Sequence, residues 1–203
     1  MRHKKTLAPG AEKATVPRER RFTIEQAFDI AQSVHRDGRP AEAEGIYRAV
    51  LQARPEHVAA LGALGVARHQ QGDSGEALQL LRRALALAPG EPGTWNNLGN
   101  VLLEAGQVDA AADAYEQAVG LAPDLVEVHN NLGVLRRAQD RPLEAEAAYR
   151  RAIALNPKFA DALTNLGRLL NALERTGEAL VMICEALLLR PGDIKARHAL
   201  GMT

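Results

Sequence analysis

Residues 92–125 read PGTWNNLGNVLLEAGQVDAAADAYEQAVGLAPDL, and this stretch decides the fold. Trp95, Leu98, Gly99 and Leu102 recur at helical spacing, Gly106 interrupts them, and Ala111, Tyr115 and Ala118 recur before Pro123 stops the second run. Apolar residues three and four positions apart mark one buried face of a helix, glycine supplies the left-handed backbone that ends a helix, and proline cannot continue one. The stretch is a helix, a turn and a helix.

The same grammar continues on both sides. Pro55, Pro89, Pro123, Pro157 and Pro191 stand 34 residues apart, giving frames 24–57, 58–91, 92–125, 126–159 and 160–193, with a partial sixth at 194–203. Self-similarity at this period is the mark of a solenoid, in which each unit packs on its neighbours and the product is an extended binding surface rather than a pocket. Within the frames, Leu61, Leu64 and Gly65 or Leu163, Leu166 and Gly167 repeat the first run. Ala43, Ala77, Ala111, Ala145 and Ala179 fill one position throughout. Close approach of two helices needs a small side chain at the crossing and larger ones around it. Gly38, Gly72 and Gly106 end the first helix of their units, while Asp140 and Glu174 stand in that place in units four and five. Glutamate tolerates left-handed backbone poorly, so the fifth turn is expected to be looser or differently formed. Thr23 with Gln26 reads as a capping box that starts the first helix near Ile24, with Phe22 placed to staple it.

A small residue at the eighth position of the frame (Gly65, Gly99, Gly133, Gly167), Ala at the twentieth, Tyr at the twenty-fourth (Tyr47, Tyr115, Tyr149) and Pro at the thirty-second resemble the tetratricopeptide repeat. The resemblance covers residues 24–203 and implies an all-α, right-handed superhelical solenoid over 23–203 that serves as a non-catalytic scaffold for protein or peptide partners. Arg68 and Arg136 depart from the usual apolar eleventh position, where burial of their aliphatic stems alone is expected.

At about 100° per residue, positions 2, 6, 9 and 13 of each first helix lie opposite its buried face and would line the concave wall. That stripe and its border contain Asn96, Asn97 and Asn100, then Asn130 and Asn131, then Asn165 and Arg168, which are the candidate peptide-binding residues. Asparagine is a mediocre helix former, so Asn97, Asn131 and Asn165 are not explained by propensity. Carboxamides offer both a donor and an acceptor, and a ladder of them could hold a peptide main chain with broad sequence tolerance. The other reading is that they bond to one another or to water. The phrases Asn96-Asn97-Leu98-Gly99-Asn100 and Asn130-Asn131-Leu132-Gly133 are similar to the repeats of O-linked N-acetylglucosamine transferase and its bacterial relatives, which implies a substrate-recruiting role and admits a transferase domain elsewhere. A carboxylate clamp for acidic C-termini is not expected, because Asn96, Asp161 and Asn165 occupy slots that such a clamp fills with Lys or Arg.

Aromatic residues at 3% and zero formal net charge argue against nucleic acid, which needs stacking platforms and a phosphate-seeking field. The balance is uneven, since residues 1–22 carry seven basic and two acidic residues, a net +5, and read as a solvated, disordered tail. No apolar run suits a signal peptide or a membrane span, so the expected compartment is the cytoplasm. Cys184 is alone and expected to be an inert small apolar residue; no disulfide or thiolate metal cluster follows. His35 and His69 share a position in adjacent units but lack a third ligand, His129 is expected to pack between helices where Trp95 does one unit earlier, and no catalytic, metal or cofactor motif is present. Leu200 and Gly201 repeat the buried motif without a polar cap after them, so either a longer parent or an edge that self-associates is expected.

Overall fold

The computed structural model describes residues 22–201; the expected basic tail lies, but for Phe22, outside them. Among the described residues there are eleven helices. The first helices of the units are α1 (Ile24–Arg36), α3 (Val58–Gln70), α5 (Pro92–Glu104), α7 (Val126–Ala138), α9 (Ala160–Ala172) and α11 (Ile194–Ala199). The second helices are α2 (Pro40–Ala53), α4 (Ser74–Leu87), α6 (Val108–Leu121), α8 (Pro142–Leu155) and α10 (Thr176–Leu189). Each first helix packs on its own second helix, each second helix on the next first helix, and successive first helices also touch one another. That last set of contacts builds a continuous wall from α1 to α11.

Local chemistry sets the helix ends. The Thr23 hydroxyl accepts from Gln26 N at 3.1 Å while the Gln26 carboxamide accepts from Thr23 N at 3.0 Å, the reciprocal capping box. Asp73 caps α4, and Asp193 caps α11. Pro40, Pro92 and Pro142 open their helices, where a missing N–H costs nothing. Phe22 does not staple α1, being 59% exposed.

The turns correct a second expectation. Gly106 has φ 74°, and Asp140 and Glu174 adopt the same left-handed backbone at 56° and 60°. The hydrogen bonds are the same too: Gln107 N to Leu102 O and Arg175 N to Leu170 O are both 2.9 Å. The fifth turn is therefore neither looser nor differently formed; the packed helices on either side impose it and Glu174 absorbs the strain.

Inside units two to five the crossing leaves no room for a side chain on the first helix. Tyr47, Tyr115 and Tyr149 are buried to within 1% exposure. A Cβ placed on Gly99 would come within 2.5 Å of the Tyr115 ring, and one on Gly167 equally close to Ile183. Gly133 meets Tyr149 in the same way.

Charged residues fasten neighbouring units. Arg68 buries more than its stem: its guanidinium reaches Glu44 of α2 at 3.2 Å, Asp73 at 2.6 Å and Glu76 of α4 at 2.6 Å. Arg136 sits at longer distances, 3.8 Å from Glu116 and 3.6 Å from Glu144. In the last full unit Arg175 takes the corresponding role, bonding Glu146 of α8 and Glu178 of α10, both at 2.7 Å. Hydrogen bonds from arginine hold Glu44 and Glu146 below the ordinary carboxylate range against the opposing effect of burial.

The outward side of α10 differs from its counterparts. Glu44 and Arg48 in unit one, and Glu146 and Arg150 in unit four, reach the following unit through ion pairs. The same positions in unit five hold Leu180 and Cys184, flanked by Val181 and Leu188. All four are exposed, Leu188 to 83%.

Candidate functional site

The wall of first helices encloses a groove of about 980 Å³ that runs from α3 to α11. Asn100, Asn130, Asn131, Asn165 and Arg168 line it; Asn96 and Asn97 do not. Asn96 and Asn130 are only 8% and 7% exposed, and Thr164 follows them at 2%: position 5 turns toward the next first helix, although Asn130 and Thr164 still edge the groove.

The carboxamides bond to one another across the units. Asn131 donates from Nδ2 to the Oδ1 atoms of Asn96 and Asn100, both at 2.9 Å, and its own Oδ1 accepts from Asn130 at 3.3 Å. Asn165 donates to Asn130 at 2.9 Å. The Tyr115 hydroxyl donates to Asn100 Oδ1 at 2.7 Å, so the chain of bonds runs from α9 through α7 and α5 to α6. Position 6 of one unit thus reaches back to position 5 of the unit before. Asn97 has no such acceptor, since Gly62 holds that place in unit two. Of the three position-6 amides, Asn131 is spent inside the protein and Asn97 is outside the groove, which leaves Asn165 with a free Oδ1. Asn100 keeps a free Nδ2. Asn165 Oδ1 and Asn100 Nδ2 thus offer the groove an amide acceptor and an amide donor two units apart.

Where the network lapses, it leaves a polar orphan. Tyr149 repeats Tyr115 one unit on, but Val134 stands where Asn100 would be, and the buried Tyr149 hydroxyl has no partner among the described residues. Burial pushes this phenol up, opposed by the nearby charges of Arg137 and Arg168.

A second row crosses the units higher up. His35 lies between the Tyr47 hydroxyl at 3.4 Å and Gln70 Oε1 at 2.8 Å, and His69 lies 3.3 Å from Glu104. The two histidines engage different neighbours rather than each other. Trp95 Nε1 donates to the Pro89 carbonyl at 2.8 Å, and His129 Nε2 makes the matching bond to Pro123 at 2.7 Å. A carbonyl only accepts, so His129 carries its proton on Nε2. Among the described residues no cluster of His, Cys, Asp and Glu suits a metal, and no helix is long and apolar enough to cross a membrane.

The tetratricopeptide repeat family model matches residues 28–92, 96–158 and 130–194. No curated protein matches the chain. Among solved structures it is similar to TTC0263, a thermophilic TPR protein of Thermus thermophilus, at 21% identity with a TM-score of 0.80 over 89% of this chain and 100% of that one. It is similar also to pilF of Pseudomonas aeruginosa, at 20% identity and a TM-score of 0.71 over 88% and 84% of the two chains. A third likeness is to YrrB, a TPR protein with an unusual peptide-binding site, at 21% identity and a TM-score of 0.60 over 89% and 93%. These likenesses carry the fold, and the in-phase family matches carry the assignment: the chain belongs to the tetratricopeptide repeat family.

Proposed function

We propose that the chain is a protein-interaction scaffold that takes an extended segment of a partner protein into the groove along its first helices. The observation that carries this reading is the groove itself, about 980 Å³ and lined by polar groups still free to bond, Asn165 Oδ1 and Asn100 Nδ2 among them. An extended peptide exposes alternating N–H and C=O groups, which such a donor and acceptor suit. The asparagines bonded to each other hold successive helices in register and so shape the trough rather than clamp the ligand. A displayed library of random peptides supplies the test. Selected peptides are expected to lose at least about tenfold in affinity when Asn165→Trp obstructs the groove at α9, and to keep it when Leu143→Trp is placed outside. Equal retention by both variants, with circular dichroism unchanged, would remove the groove from the account.

The apolar side of α10 carries the second part of the proposal, pairing of two copies through Leu180, Val181, Cys184 and Leu188. An exposed apolar stripe of this kind favours association. Light scattering is expected to show a dimer that Leu180→Glu with Leu188→Glu converts to monomer; a wild-type monomer at all concentrations ends this part.

A further inference from the structure

We propose that the groove selects an acidic segment, whose carboxylates are received by Arg137, Arg168 and Lys195; this rests on the peptide-binding reading and narrows it. The charges lining the groove are not equivalent. Each of its acids is engaged: Glu104 with His69 at 3.3 Å, Asp161 with Arg190 at 2.8 Å, and Asp193 with the Thr164 hydroxyl at 3.0 Å and two backbone N–H groups of α11. Among the described residues Arg137, Arg168 and Lys195 have no anionic partner, although all three line the groove. Asp161 and Arg190 offset each other, and the three free cations outnumber Glu104 and Asp193, which keep their charge, so the lining carries a net +1 with histidine counted neutral.

Their placement gives the charge a direction. Arg137 lies on α7, Arg168 on α9 and Lys195 on α11, a path across three successive first helices. Arg168 and Lys195 also line an adjoining cleft of about 400 Å³, so the path does not end in a wall. Neighbouring helix axes lie about 8–10 Å apart, and a chain in the polyproline II form advances about 3.1 Å per residue and returns a side chain to the same face every third residue, so acidic side chains three residues apart match the step. Guanidinium groups meet carboxylates in paired, charge-assisted hydrogen bonds, and the concave wall withdraws part of the screening that weakens exposed pairs. Arg137 and Lys195 stand away from Asn96, Asp161 and Asn165, the slots at which a carboxylate clamp would carry its cations.

Fluorescein-labelled peptides of repeated Glu-Ser-Ser and of repeated Gln-Ser-Ser test the selection by anisotropy. The Glu peptide is expected to bind at least about tenfold more tightly, to lose that margin in Arg137→Gln/Arg168→Gln/Lys195→Gln, and to weaken as salt rises. Circular dichroism of the triple variant reports whether the fold is kept; should it change, the Glu-to-Gln comparison on the unaltered chain decides alone. Equal affinity of the two peptides overturns the inference, as does an oligothymidylate of similar length binding as tightly as the Glu peptide. If both peptides bind equally and both are lost in Asn165→Trp, acid selection fails and the groove stands. If Asn165→Trp leaves the Glu peptide bound, the groove reading fails and this inference with it.

Discussion

Tyr115 and Tyr149 occupy one position in consecutive units, are equally buried, and differ in whether the hydroxyl finds an acceptor. Removing a satisfied hydroxyl costs about 1 kcal/mol, whereas removing an orphaned one costs little or relieves a desolvation penalty. Tyr115→Phe is therefore expected to lower the denaturation midpoint, and Tyr149→Phe to leave it unchanged or raise it, as measured by urea titration followed by circular dichroism. Val134→Asn restores the missing acceptor, and in that background Tyr149→Phe should become costly. Glu174 poses a different single-residue problem. At φ 60° it holds a backbone conformation that costs a side chain about 1–2 kcal/mol and glycine almost nothing. After allowance for the greater freedom of glycine in the unfolded chain, Glu174→Gly is expected to stabilise the fold by about 0.5–1 kcal/mol, visible as a higher Tm.

Helix pairs meet at the glycine of the first helix and the large residue of the second. Gly133→Ala improves helix propensity by about 1 kcal/mol, but its Cβ would intrude on the Tyr149 ring, and overpacking of this kind costs about 1–3 kcal/mol. The clash prevails, so Gly133→Ala is expected to lower Tm, and Gly133→Ala with Tyr149→Leu to recover part of the loss by calorimetry. Ion pairs tie one helix pair to the next and give the array a pH dependence. Arginine hydrogen bonds depress Glu44 and Glu146 in the folded state, so their contribution is complete above the ordinary glutamate pKa and is lost as pH falls through the lower folded value. Tm is expected to hold steady from neutral pH down to about 4.5 and to fall below it, with a shallower fall in Glu44→Gln/Glu146→Gln.

Stacking makes the molecule nearly one-dimensional, since each unit leans only on those before and after it. In such an array cooperativity resides in the interfaces between units. Asn131 makes three hydrogen bonds there, joining α7 to α5 through Asn96 and Asn100 and to its neighbour Asn130. Asn131→Ala is expected to broaden the unfolding transition and to lower its m-value as well as its midpoint, by letting the two halves of the array separate. A midpoint shift at constant m-value would show that the bonds stabilise without coupling.

Period, helix pairing and capping were legible in the residues, because each rests on short-range rules: apolar spacing, glycine or proline at a break, a hydroxyl three residues before a glutamine. The helices begin at Ile24, Val58, Pro92, Val126, Ala160 and Ile194 as that spacing requires. The direction in which each asparagine spends its hydrogen bonds was not legible. Helical angles alone place position 5 at the border of the exposed stripe, but the distance to the next unit decides whether it meets water or a neighbour, and it meets Asn131 or Asn165. Cys184, an inert small apolar residue by its sequence, lies with Leu188 on an exposed face that no described element covers. Local sequence sets which side of a helix is apolar; only the stacking of one unit on the next, a long-range packing geometry, settles which polar groups are used up inside and which remain free in the groove.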